Sequence, residues 1–348
     1  MTRWTAALFG LILVVLTAST AASRRVEAAH YWIVYSAMDE NLDQNIYRVH
    51  VPSGIVRTVT RSALEEGQPE LMGQDIIFHA FSRPTNFLYR IHFTGGQREL
   101  IAANVSNKPV ATSMHGVLFT DANHHLICYS DHHTRVLVYD RVNSFAWSPD
   151  GKWIAFSTIN NAARKYQLFR MRPDGSERKF LAESKSVIWQ TRWSPDGARI
   201  GYMSNNVIYL YHLDTGETAR LFGGLSVNDF TWSPDGQRLA FSSYTAGYSQ
   251  TDIYSVDIDG NNVIELSTHP NSEYNLAWSP DGQWLAFSAD YQDSTFIYRV
   301  PAGGGDIDQL TDRGLLNFSP HWIRASENML HSWLLLAGIG LIALQRWL

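Results

Sequence analysis

The chain has 348 residues, 13% of them aromatic, a net charge of −5 and one cysteine, Cys128. The negative balance speaks against nucleic acid, which calls for a basic surface. A single cysteine excludes an intrachain disulfide and with it a disulfide-stapled fold. The length accommodates one repeat domain or two ordinary domains.

Residues 1–29 read as an export signal: Arg3, an apolar run Trp4–Ala18, then Thr20-Ala21-Ala22 as a small-residue cleavage site. The alternative is an uncleaved signal anchor. The stretch 30–325 has the rhythm of short strands. Trp32-Ile33-Val34-Tyr35-Ser36 has the pattern of the second strand of a four-stranded repeat, and Asn45-Ile46-Tyr47-Arg48-Val49 that of a third, with no first strand before them. Ile76–Phe78, Phe87–Ile91 and Arg98–Ile101 outline one unit; Val117–Thr120, Leu126–Ser130 and Val136–Tyr139 outline another. Cys128 lies in the strand Leu126–Ser130 with no activating neighbour in sequence, as a buried, inert thiol would.

From residue 144 a pentapeptide, Trp-Ser-Pro-Asp-Gly, marks each repeat. Its copies are Trp147, Pro149, Asp150, Gly151; Trp193, Pro195, Asp196, Gly197; Trp232, Pro234, Asp235, Gly236; and Trp278, Pro280, Asp281, Gly282, with a degraded copy at Trp322. Successive tryptophans are 46, 39, 46 and 44 residues apart, a period that marks solenoids and propellers. In residues 144–182 an apolar strand leads to a Pro-Asp-Gly turn. A continuous apolar strand, Trp153–Ser157, follows, then a polar loop, a third strand Gln167–Met171, a second Pro-Asp-Gly turn and a fourth strand. Four strands joined by hairpins make a propeller blade. At the far end Asn317–Trp322 is a first strand with no second. It completes a blade with Trp32–Ser36 and closes the ring, leaving no sheet edge at the seam. The expectation is an all-β propeller of four-stranded antiparallel blades, seven in number, or six if residues 67–140 are irregular. Residues 326–348 follow, with an apolar core Trp333–Leu344 that reads as a membrane anchor.

The pattern Trp-Ser-Pro-Asp-Gly-x-x-hydrophobic-Ala-Phe-Ser, followed by an Ile-Tyr strand, resembles the WD-like propeller repeats of bacterial TolB-type proteins. The resemblance covers residues 144–322 and 31–60; between 61 and 140 it rests on strand rhythm. TolB-type proteins carry an additional α/β domain before the propeller. About thirty residues precede the first blade here, so the resemblance implies the propeller without that domain.

The repeated tryptophans suit packing between blades better than stacking of sugars or peptides. Asp150, Asp196, Asp235 and Asp281 are accounted for by turn chemistry. His124-His125 and His132-His133 fall at opposite ends of one strand, some 15 Å or more apart at ~3.3 Å per residue, so they do not form a joint metal site. Asp39, Glu40 and Asp43 lie between second and third strands at the start of the ring, and Asp290 and Asp293 in the equivalent loop near its end. They form a candidate binding rim for a cationic partner or a hard cation such as Ca²⁺, against the plainer reading of solvated charge. No Gly-x-Ser-x-Gly elbow, His-Glu-x-x-His or phosphate loop occurs, and no cofactor or resident metal is expected.

The expected function is a non-enzymatic scaffold in a bacterial cell envelope, exported, extracytoplasmic and membrane-anchored through its C-terminal segment. It would bind a protein or peptide on the face carrying the second-to-third strand loops, with both chain ends on the opposite face. The alternative is a saccharide lyase or hydrolase working in the channel, with Glu70, Arg192, Asp229 and Asn275 among the lining groups.

Overall fold

The computed structural model describes residues 31–51, 53–221, 226–244, 250–267, 270–312 and 314–324. The export-signal and anchor segments lie outside the described residues. Every described regular element is a strand.

Each copy of the pentapeptide folds in one way. Ser148 Oγ donates to Asp150 Oδ1 (2.7 Å) and accepts from Trp153 N (2.9 Å), while Asp150 Oδ1 also accepts from Lys152 N (3.1 Å). Gly151 N closes the turn on Ser148 O (2.9 Å), and Gly151 sits at φ +66°, where a Cβ would be strained. The same bonds recur at Ser194/Asp196, Ser233/Asp235 and Ser279/Asp281. Serine and aspartate thus staple the hairpin between first and second strands, and the aspartates are turn elements.

Four such strands make a blade. Val142–Trp147, Ile154–Asn160, Lys165–Met171 and Lys179–Ser184 pair in sequence order, all antiparallel. Four further sheets share that order, their first strands being Glu65–Met72, Ala111–Ser113, Ile188–Trp193 and Ser226–Trp232. The stretch 61–140, which lacks the motif, is therefore as regular as the rest.

The expected number of blades, seven or six, is corrected: among the described residues there are five discrete four-stranded blades, and the remaining eight strands form one sheet. Glu273–Trp278, Trp284–Tyr291 and Ser294–Pro301, with Asp308–Gln309 on the last, run on into Leu316–Arg324, Tyr31–Met38, Gln44–Val51 and Val56–Thr58. The fusion occurs where the chain crosses towards its last strand. Leu315 N donates to Met38 O (2.8 Å), Leu315 O accepts from Thr295 N (2.9 Å), and Thr295 pairs in parallel with Leu316. A repeat period cannot show a bridge made by the linker between repeats. Leu316–Arg324 pairs antiparallel with Tyr31–Met38, from Met38↔Leu316 to Tyr31↔Arg324.

The core lies between neighbouring units. Trp193 packs on Ala155, Leu168, Ile200 and Tyr202, and its indole donates to Ala146 O of the preceding blade (3.3 Å). Trp322 does likewise to Ala277 O (2.9 Å). Trp147, Trp193, Trp232 and Trp322 are only 7–8% exposed. They hold each unit on the last.

Candidate functional site

Two features stand out once the motif face is assigned to turn stapling: the loop face opposite it, and the channel.

On the loop face the structure brings the two halves of the acidic rim to either side of one residue. Leu315 is bonded through its backbone to Met38, which leads into the loop 39–43, and to Thr295, which follows the turn 291–293. Glu40, Asp43 and Asp293 are exposed. Asp39 Oδ1 accepts from Asn41 N (2.8 Å) and Asp43 N (3.1 Å), and Asp290 Oδ1 from Tyr274 Oη (2.6 Å) and Thr295 Oγ1 (3.0 Å). Two of the five carboxylates are therefore committed to holding their own loops. Among the described residues no group of three His, Cys, Asp or Glu is disposed to hold a metal ion. Sequence reasoning overlooked the apolar members of this patch, Leu42 at 64% exposure, Tyr291 at 49% and Leu315 at 38%.

The histidine pairs sit at the two ends of Leu126–Ser130. His125 Nδ1 bonds Asp121 Oδ2 (2.9 Å); His132 Nδ1 lies 3.3 Å from Glu99 Oε1, which also accepts from Tyr129 Oη (2.9 Å).

The channel wall is built by the first strands, and it is irregular in a repeated way. Pairing of first with second strand slips between Gly67 and Glu70, Val142 and Ser144, Trp189 and Arg192, Val227 and Asp229, and Tyr274 and Ala277. Gln68, Gln190, Asn275 and Ser319 sit there at φ +49° to +56°. Bulges of this kind re-aim side chains. The polar residue lies three or four positions before the motif tryptophan (Asn143, Gln190, Asn228, Asn275, Ser319), a spacing that could have revealed it.

A cavity of ≈ 630 Å³ lies along this wall, lined by Glu70, Lys108, Asn143, Gln190, Arg192 and several tryptophans, among others. Of the four groups expected there, Asp229 is held by Gln190 Nε2 (3.0 Å), Leu276 N (3.3 Å) and Arg192 (3.7 Å). Asn275 Oδ1 accepts from Ser319 N (3.5 Å), and Glu70 lies 3.9 Å from His321. Lys108 was not anticipated. Its Nζ donates to Val142 O (2.5 Å) and Asn143 O (3.4 Å), and burial, reinforced by Arg141, lowers its pKa to about 8.

Residues 157–333 match the family model for the TolB beta propeller domain, and residues 128–163 a WD domain, G-beta repeat. The chain belongs to the TolB β-propeller family. TolB from Acinetobacter baumannii shares its fold at a TM-score of 0.58 and 18% identity, over 84% of this chain and 66% of that one. An oligogalacturonate lyase from Vibrio parahaemolyticus gives 0.58 at 12% identity, over 80% and 84%. In sequence, a dipeptidyl-peptidase 5 from Porphyromonas endodontalis is 36% identical over 73 residues, 20% of this chain and 11% of the relative. The match thus spans about a tenth of that curated relative. TolB-type propellers share the blade, and neighbours with such different names show that the blade does not choose the function.

Proposed function

We propose that this TolB-type propeller is a non-enzymatic binding scaffold, exported and held at a cell envelope, whose binding face carries the second-to-third strand loops. One observation carries it. Leu42, Tyr291 and Leu315 are exposed on adjoining loops of a single sheet, interleaved with Glu40, Asp43 and Asp293. Clustered exposed apolar side chains rimmed by charge mark interaction surfaces, and the carboxylates select a partner with basic groups beside its apolar ones. Export and anchoring rest on the sequences of residues 1–29 and 326–348. The test is capture from solubilised envelopes with the wild type, a Leu42→Asp/Leu315→Asp variant and a motif-face control, Lys152→Glu. A partner retained by wild type and control and lost from the double variant is expected. Equal retention by all three would sink the reading.

The channel supports a second reading, a saccharide lyase or hydrolase, because its cavity holds Glu70, Lys108 and Arg192 on one wall. Turnover of an acidic oligosaccharide that is lost in Arg192→Gln would establish it; no product from such substrates leaves the scaffold.

A further inference from the structure

The ammonium of Lys108 stands in the channel on backbone carbonyls alone among the described residues. An ammonium has three N–H donors, and Lys108 uses two, on carbonyl oxygens of one neighbouring strand. Among the described residues Lys108 forms no ion pair with a carboxylate. A half-buried cation without a counter-charge is costly unless a ligand supplies one. On the same cavity lie two side-chain amides with buried atoms that lack a partner: Asn143 Nδ2, a donor, and Gln190 Oε1, an acceptor. Gln190 is held there by its Nε2 on Asp229 Oδ1 (3.0 Å), which leaves its Oε1 as the acceptor. The unmet needs are therefore an anion, an acceptor and N–H donors together. Phosphate or sulfate brings acceptors alone. The last residues of a peptide bring all three: a terminal carboxylate, carbonyl oxygens and amide N–H groups. Trp189, only partly buried on the same cavity, provides apolar surface for its side chains.

Lys108 stands at the loop-face end of the channel wall. Val142, whose carbonyl holds Lys108, pairs with Thr158 at the end of the second strand that leads into the second-to-third loop.

We propose that the channel binds the free C-terminus of a peptide, its carboxylate on Lys108 and its backbone amides on Asn143 and Gln190. This deepens the scaffold reading by giving the same face a second, chain-end-specific contact. The purified full chain is applied to an array of octapeptides tethered by their N-termini, each made as the free acid and as the C-terminal amide. The tightest acid is then titrated calorimetrically. The acid is expected to bind at least about tenfold more tightly than its amide, as befits a charge-assisted hydrogen bond. Lys108→Met should bring that ratio to about one, Lys108→Arg should keep most of it, and in the wild type it should shrink as pH rises through about 8. No acid preference on the array overturns the proposal, as does a preference that survives Lys108→Met. Competition by galacturonic acid as strong as by the peptide acid overturns it too, in favour of a sugar-acid site. If Lys108→Met does not fold, the wild-type pH series decides. Partner capture through Leu42 and Leu315 is read separately, so acid-selective binding with failed capture removes the loop-face partner and leaves this site standing.

Discussion

His79 should make the propeller acid-labile by an amount that can be worked out in advance. It lies in the strand Asp75–Ser82, is fully buried, and neither ring nitrogen has a hydrogen-bond partner. Its ring stacks on Phe81 at 5.8 Å. Burial dominates and lowers its pKa from 6.5 to about 4; the nearby Lys108 backbone opposes this weakly, without making a well-formed hydrogen bond. Because the folded pKa lies below the unfolded one, the unfolded chain binds the proton first. Stability is therefore complete above pH ~6.5 and is lost as pH falls towards 4. Linkage over that window gives a loss of about 2 kcal/mol at pH 5 and about 3 kcal/mol at pH 4, against a typical total of ~5–15 kcal/mol. Other histidines and carboxylates titrate as well, so the comparison is with His79→Leu, which fills the site and carries no proton. Urea unfolding at pH 7.5 and pH 5 should show the difference between wild type and variant shifting by about 2 kcal/mol in the variant's favour. A difference that stays constant within ~0.5 kcal/mol would mean that His79 is solvated, and the argument would fail.

Further outcomes follow from the packing and the turns. Trp193→Ala removes a side chain wedged between two blades and should cost about 3–5 kcal/mol, visible as a lower urea midpoint with the slope unchanged. Ser233→Ala leaves Arg238 N and Asp235 Oδ1 without their shared partner and should cost ~1–2 kcal/mol; no change would show that the staple is ornamental. Glu273 is fully buried and accepts from Ile253 N (3.0 Å) and Ser267 Oγ, so Glu273→Ala should cost ~3 kcal/mol or more by stranding those donors, measured by thermal unfolding. Asp293→Asn, exposed and outside these networks, should leave stability within ~0.5 kcal/mol and reduce only partner capture.

The motif was legible because one local conformation needs four residue types at once. Serine, aspartate and glycine each meet a stated demand of the turn, and the tryptophan meets a demand of the interface, so the pattern repeats wherever the geometry does. The channel wall was less legible, since its bulges place Gln68, Gln190 and Asn275 at positive φ without glycine; neighbouring strands impose that conformation. His79 was hidden for a related reason. Ile76–Phe78 alone reads as the strand, yet pairing continues through His79 to Ser82, and tertiary cover makes a polar residue part of the core. The fused eight-stranded sheet depends on a linker, Gly314–Leu316, that carries no repeat signature. The acidic rim could be placed because loops inherit their face from strand order, whereas its apolar partners are ordinary residues until exposure is known.

The closing strand pair also decides how the ring would respond to tension. Tyr31 and Arg324 are register partners, followed by Trp32↔Ile323 and Ile33↔Trp322, so the two ends of the described chain leave side by side. Gln74 Nε2 on Arg324 O (3.1 Å) places that exit beside a first-to-second turn. A pull on both ends therefore acts across the terminal pair and opens the ladder one rung at a time. It does not shear all rungs together. A propeller fastened at one end hangs unloaded from its tether; one fastened at both ends has its weakest mechanical point at the anchor. The seam is a zipper, and its slider sits where Tyr31 and Arg324 pair.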